Sequence, residues 1–482
     1  MYNYSKLIKS YAYCKASIYE DPSILAIVVK SFLKNIESKH DLNAFVRVYE
    51  EEVLRKTDEL IFKLKEGHAG ELAGLVVGIK DMFCYKDHPV QAASGILKGF
   101  VSQIHATVIA RLISKDAIII GHQNCDEFGM GSSTENSIYG PTHNALDRSR
   151  VAGGSSGGSA VSLQAGMCHV SLGTDTGGSV RQPAAFTGLI GLKPTYSLVP
   201  RDGVIAYASS FDTVGVLAHD IEDCAKVLHS IAGKSDYDNT SYSGLVPDYR
   251  QHLRWGRKAR VAYLKQALDG EALQVEVREN TQSLLEQLGG EGHEVTGVDF
   301  PLLAYALPTY YILSTAEASA NLARYEGIRY GDGVGGNMDG SVKQMCKNIR
   351  KGGFGKEVQR RILLGTFVLS SSYYQAYYVR AQKVRRMIKE GLKAILAEFD
   401  FIVLPTTPTT AFLHERSQDD PSTEYLADLY TVLASIAGLP AISLPNGKDR
   451  RGLPVGVQLI GSAFKEVDLL AFSRYILDVN EG

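Results

Sequence analysis

The sequence predicts an α/β fold: a large mixed, mostly parallel sheet covered by helices on both faces, with a helical layer at the N-terminus. Three observations carry this. Short apolar runs alternate with amphipathic stretches between residues 72 and 175. The alternation returns after residue 400. The first 66 residues place apolar side chains at helical spacing.

Taken in order, "SILAIVVKSFLKNI" and "EEVLRKTDELIFKLKEG" read as helices of a layer spanning residues 1–66. "LAGLVVGIKD" is a short apolar run ending in charge, read as a buried strand with Lys80 at its C-terminal end. "HATVIARLISKD" reads as an amphipathic helix and "AIIIGHQN" as a second buried strand. "GGSAVSLQAG" reads as a tightly packed small-residue helix and "CHVSLGTD" as a third strand. Residues 235–400 are helix-rich, with long periodic stretches such as "KEVQRRILLGTFVLSSSYYQAYYVRAQKVRRMIKEGLKAIL", and read as an insertion over the active-site side of the sheet. Late in the chain "DFIVLPT", "LPAISLP" and "PVGVQLIG" read as strands and "EVDLLAFSRYILDV" as a closing helix.

The 482 residues fit two or three average domains or one large α/β domain. The apolar fraction of 45% is that of an ordinary globular protein, and a formal net charge of −2 with no basic arm argues against a main nucleic-acid docking surface. The six cysteines, Cys14, Cys84, Cys125, Cys168, Cys224 and Cys346, show no C-x-x-C pair. They read as buried small hydrophobes in a reducing, cytoplasmic setting, with no metal site. The start shows no apolar signal region, and no apolar run is long enough to span a bilayer.

Two glycine-serine segments, "VAGGSSGGSAV" and "GTDTGGSV", invite a chemical reading. Neither contains the G-x-x-x-x-G-K-[ST] or G-x-G-x-x-G spacing that cradles phosphates. Residues 153–157 match a G-x-S-x-G elbow, but the late histidine that a Ser-His-Asp set needs is limited to His414 in a polar loop. A serine can instead be activated by a lysine with a lowered pKa. Lys80 follows an apolar strand, yet a lone lysine at a strand end reads first as a solvated charge. Gly177 and Gly178 allow close backbone approach before Ser179, as an oxyanion site requires, and they fit an ordinary turn before a helix equally well.

The segments "GLVVGIKD", "NCDEFGMGSSTENSIYGPTHN", "VAGGSSGGSAV" and "GTDTGGSVRQPAAFTGLIGLKPTYSLVPRDGVIAYASSFDTVG" together resemble the amidase signature family, with matching segments from about residue 40 to the C-terminus. The resemblance implies one amidase domain over 1–482 with the amidase-signature fold. It implies a Ser–cis-Ser–Lys triad: Ser179 as nucleophile, Ser155 as the bridging serine with an unusual cis peptide, and Lys80 as base. The backbone from Thr176 through Gly177 and Gly178 to Ser179 would hold the oxyanion.

Within the family the likeness is strongest to the branch that supplies ammonia for tRNA-dependent amidation. "KEVQRRILLGTF" resembles that branch's carboxylate-binding motif and implies Arg361, with Arg360 as the alternative. "STEYLADLYTVLASIAGLP" resembles its ammonium-binding motif and implies Asp428, and Tyr310 matches a substrate-side tyrosine. Without the resemblance Arg361 and Asp428 read as helix-surface charges. The branch implies glutamine as substrate and no cofactor in this chain. ATP and Mg would be used by a partner B subunit that also binds the charged tRNA, with a small C subunit completing a heterotrimer. The alternative is a stand-alone amidase of the same family acting on small amides.

Overall fold

A computed structural model of the chain describes residues 3–331, 341–414 and 421–481. Its eleven strands are β1 (Phe45–Val48), β2 (Val76–Lys80), β3 (Ile118–Gln123), β4 (Val170–Asp175), β5 (Ile190–Lys193), β6 (Thr213–Ala218), β7 (Arg260–Leu264), β8 (Glu294–Val298), β9 (Phe401–Pro405), β10 (Ala441–Lys448) and β11 (Pro454–Gly461). They form one sheet in the order β1-β3-β2-β4-β6-β5-β10-β11-β9-β7-β8.

Successive strand residues point to opposite faces, and each face has its own apolar cover. Val76, Ile118, Ile120 and Leu217 pack with Leu25, Val28, Val29 and Phe32 of the N-terminal helix Ile24–Ser38. Val77, Ile79, Ile119 and Val216 belong to the larger cluster on the other side. Burial on both faces is why these strands read as unbroken apolar runs rather than as alternating ones.

The mixed, helix-covered α/β sheet agrees with the sequence reading, but its mostly parallel character does not hold. Only β2 with β3, β2 with β4, β7 with β8 and β7 with β9 are parallel. The other six neighbouring pairs are antiparallel. A parallel pair needs a long crossover, whereas β10 and β11 are joined by a tight connection. β6, reached from β5 without an intervening helix, slots between β4 and β5 and opposes both.

Three further stretches depart from their sequence reading. The N-terminal layer contributes β1 to one sheet edge, and the helix-rich span 235–400 contributes β7 and β8 to the other. The long periodic run after Lys356 is two helices, Lys356–Leu369 and Arg380–Glu398. Ser370 breaks the first with an extended backbone (ψ 150°), and a π-helical turn, Gln375–Val379, leads into the second. Of the cysteines, Cys14, Cys125, Cys168 and Cys224 are buried as expected, but Cys84 and Cys346 are only half-buried. Among the described residues no helix is long and apolar enough to cross a membrane.

Because β2, β3 and β4 run parallel, their C-terminal ends share one edge of the sheet. Side chains at the ends of parallel strands converge on whatever loops cover that edge. Lys80 and Thr174 lie there.

Candidate active site

Lys80 is fully buried. Its Nζ donates to three hydroxyl oxygens: Ser155 Oγ at 2.7 Å, Thr174 Oγ1 at 2.9 Å and Ser156 Oγ at 3.0 Å. Burial pulls its pKa down, against the opposing pull of Cys125, Asp126, Asp212 and Asp175. Burial among neutral hydroxyls disfavours the charged form of an amine.

Ser155 sits in the glycine-rich turn before the helix Gly157–Gln164, and the Gly154–Ser155 peptide is cis. The glycines there are close-approach positions. A Cβ on Gly154 would lie 2.2 Å from Asp126 Oδ2, and one on Gly158 would lie 2.5 Å from the carbonyl oxygens of Ala44 and Asn124. The turn is tied on both sides. The Gly154 N–H donates to Gln182 Oε1 at 2.8 Å, and the Ser155 carbonyl accepts from the Asp126 N–H at 3.1 Å.

The second segment, Thr176–Ser179, follows β4 and is joined to the first by the Ser156 N–H, which donates to the Ser179 carbonyl at 3.1 Å. Asp175 and Arg181 close its base with two charge-assisted bonds of 2.9 and 2.8 Å, both residues being fully buried. The Thr176 hydroxyl donates to Asp212 Oδ1, and Thr431 Oγ1 donates to the Gly177 carbonyl, each at 2.7 Å. Gly178 has φ +139°, and a Cβ there would stand 2.1 Å from Thr431 Oγ1. Among the described residues no protein acceptor takes the N–H groups of Gly177, Gly178 and Ser179. They are free to meet a developing oxyanion. Ser179, 8% exposed, is more open than the fully buried Lys80 and Ser155. Among the described residues no hydrogen bond joins its hydroxyl to that of Ser155; such contacts commonly tighten only when substrate is bound.

A third group lies on the helical layer. The Tyr310 ring covers Gly177, where an added Cβ would lie 2.5 Å from Cζ. Its neighbour Tyr311 touches two buried charges: the Tyr311 hydroxyl donates to Asp428 Oδ2 at 3.3 Å, and the Arg361 guanidinium lies 5.3 Å from the Tyr311 ring centre. Arg361 donates to Glu357 Oε1 at 2.7 Å and to the Tyr207 hydroxyl at 2.8 Å. Arg360 turns outward, with 44% of its side chain exposed, and pairs with Glu357. Asp428 also accepts from Ser132 Oγ at 2.7 Å, and burial raises its pKa to about 7. Neither Arg361 nor Asp428 is the surface charge that its helical context suggests.

The structure thus gathers Lys80, Ser155, Thr176, Gly177, Gly178 and Ser179 at one sheet edge, and links Tyr310, Arg361 and Asp428 to that edge through Gly177 and Tyr311. Sequence reasoning missed Thr174, Ser156, Tyr207, Ser132, Tyr311 and Glu357. Ser156 and Tyr311 adjoin predicted residues; nothing in the spacing marks Thr174, Ser132 or Tyr207. Among the described residues no group of His, Cys, Asp and Glu is placed to hold a metal ion.

The Amidase family model matches residues 27–470. The chain is 46% identical over 457 residues to the A subunit of the glutamyl-tRNA(Gln) amidotransferase of Chlorobium phaeobacteroides, covering 93% of this chain and 94% of that one. The crystal structure of the corresponding protein from Thermotoga maritima matches with 39% identity and a TM-score of 0.73, covering 85% of this chain and 84% of that one. The peptide amidase of Stenotrophomonas maltophilia matches with 25% identity and a TM-score of 0.81, covering 100% and 98% of the two chains.

Proposed function

This chain belongs to the amidase signature family, and we propose that it is the glutamine-hydrolysing subunit of a tRNA-dependent amidotransferase. One observation carries the substrate: a buried cation, Arg361, and a buried carboxylate, Asp428, both contact Tyr311, while Tyr310 beside it covers the loop before Ser179. Opposite charges held against one tyrosine suit the carboxylate and ammonium of a free amino acid and would burden a site for simple amides.

The chemistry follows from the hydroxyl set. Lys80, its charged form disfavoured by burial, acts once deprotonated and takes a proton from Ser155 as Ser155 takes one from Ser179. The Ser179 oxygen attacks the side-chain amide carbon. The N–H groups of Thr176 through Ser179 hold the oxygen as it gains charge. Returning the proton to the nitrogen breaks the C–N bond, releasing ammonia and leaving a glutamyl ester on Ser179. Water, deprotonated through the same relay, then frees glutamate. Thr174 and Ser156 hold Lys80 Nζ in line with Ser155. Ammonia would pass to a partner B subunit. That subunit uses ATP and Mg to convert Glu-tRNA(Gln) or Asp-tRNA(Asn), with a C subunit completing the complex, and this chain needs no cofactor of its own.

The test is purification of the native chain with whatever accompanies it. The expected result is a multi-subunit complex that hydrolyses glutamine and amidates misacylated tRNA with it. A chain that runs alone and prefers simple amides to glutamine would replace this reading with a stand-alone amidase.

A further inference from the structure

The helix that carries Arg361 starts at Lys356, directly after the segment Gly352-Gly353-Phe354-Gly355. Its cap position is Gly355, which has no side chain to hold the helix end. A distant residue does so instead. Glu127 Oε2 accepts from the Gly355 N–H at 2.8 Å, and its other oxygen accepts from the Ser94 hydroxyl. The Ser94 Oγ also lies 3.2 Å from the Gly353 carbonyl. The fit is close: a Cβ on Gly355 would stand 2.4 Å from Glu127 Oε2, and one on Gly353 would stand 3.1 Å from the Ile96 Cα. Glu127 is buried, and burial pushes its carboxyl up to about 7 against the hydrogen bonds from Ser94 and Gly355; when charged, it meets the positive end of the helix dipole.

The residue before it reaches the other half of the site. The Asp126 N–H donates to the Ser155 carbonyl, and its carboxylate accepts from the N–H groups of Thr134 at 2.9 Å and Asn136 at 3.1 Å. Two consecutive residues, leaving the end of β3, therefore grip the serine turn with one and the Arg361 helix with the next. We propose that Glu127 is a positioning residue for glutamine binding: it sets the distance between Arg361, which takes the substrate carboxylate, and the serines that cleave the amide. The inference rests on the reading of Arg361 given above. Glu127 touches no reacting atom. Its effect comes through the register of a helix whose arginine must sit at a fixed separation from the nucleophile.

The experiment uses the full chain with its natural partners, three variants (Glu127→Ala, Glu127→Gln and Ser94→Ala) and two substrates, glutamine and propionamide. Glu127→Ala should raise the KM for glutamine about tenfold with little change in kcat, and leave propionamide hydrolysis at the wild-type rate. Glu127→Gln keeps an oxygen for the Gly355 N–H and should restore most of the loss. Hydrogen exchange across 353–361 should quicken in Glu127→Ala. The proposal is overturned by an unchanged glutamine KM, by equal losses on both substrates, or by a glutamine variant no better than alanine. Should Glu127→Ala not fold, Ser94→Ala must show the same selective rise, and its absence counts against the proposal equally. If the wild-type chain hydrolyses propionamide but not glutamine, the functional reading has failed instead. The exchange data then decide the clamp alone, and unchanged protection would overturn it.

Discussion

The bond-breaking half of the site and the half that would read the substrate are built differently. Lys80, Ser155, Thr174 and Ser179 all come from one hundred-residue stretch and stand on the ends of parallel strands or on turns locked to them. Tyr310 and Arg361 come from separate helices and Asp428 from a turn between two short ones, all far apart in the sequence, and they meet through Tyr311 and Tyr207. The first half is neutral hydroxyls around one buried amine. The second is paired charge and aromatic rings. On the function proposed above, the contrast teaches that reactivity would depend on a rigid, local frame, whereas substrate choice would depend on how the helical layer packs. Removing a group from the first should affect every amide, and removing one from the second should affect only amides that carry amino-acid charges.

The largest expected effect is that of Ser179→Ala. Loss of the nucleophile should lower glutamine hydrolysis by at least about 10⁴-fold. Amidation of misacylated tRNA by the assembled complex should continue when ammonia is supplied. A folded, assembled variant that loses both activities would erase the separation between cleavage and use of ammonia.

Lys80→Arg comes next. Arginine keeps the charge but stays protonated, with a pKa above about 12, so it cannot accept the serine proton. Turnover should fall about 10²- to 10⁴-fold, close to the loss in Lys80→Ala, on glutamine and simple amides alike. Near wild-type turnover in the arginine variant would give Lys80 a purely electrostatic role.

Asp428→Asn should divide the two halves. Losing one charge-assisted contact costs about 1.5–3 kcal/mol, one to two orders of magnitude in kcat/KM for glutamine. Hydrolysis of an amide without an α-ammonium should barely change. Equal losses on the two substrates would move Asp428 into the bond-breaking half.

The smallest effect is one of pH. Burial raises Asp428 to about 7, with Arg361 and Ser132 opposing, and Glu424 four residues earlier is raised to about 8. A carboxyl with a raised pKa becomes charged only above that value. The carboxylate that would pair with an ammonium is therefore lost as pH falls through about 7. The KM for glutamine should rise by up to about tenfold per pH unit below that point, while the acid limb for a simple amide follows Lys80 alone. Asp428→Asn should make the two acid limbs coincide. Identical limbs in the wild type would remove Asp428 from ammonium binding.

The sequence alone determined where strands such as β2, β3, β4, β10 and β11 lie along the chain, through apolar runs bounded by charge, and it carried the amidase pattern, whose resemblance rather than any local signal pointed to Lys80, Ser155 and Ser179. Its expectation of a mostly parallel sheet failed, since the antiparallel slot of β6 between β4 and β5 depends on pairing across the whole sheet. It could not distinguish a solvated Lys80 from a buried one, because burial is a property of what packs around a strand end. Arg360 and Arg361 are equal as residues in a sequence. Only the packing of their helix against Tyr207 and Tyr311 turns one inward and leaves the other in water. Thr174, Ser132 and Tyr207 carry no mark in the chain for the same reason. A hydroxyl becomes a functional contact through what lies 3 Å away, and tertiary structure alone decides that neighbour.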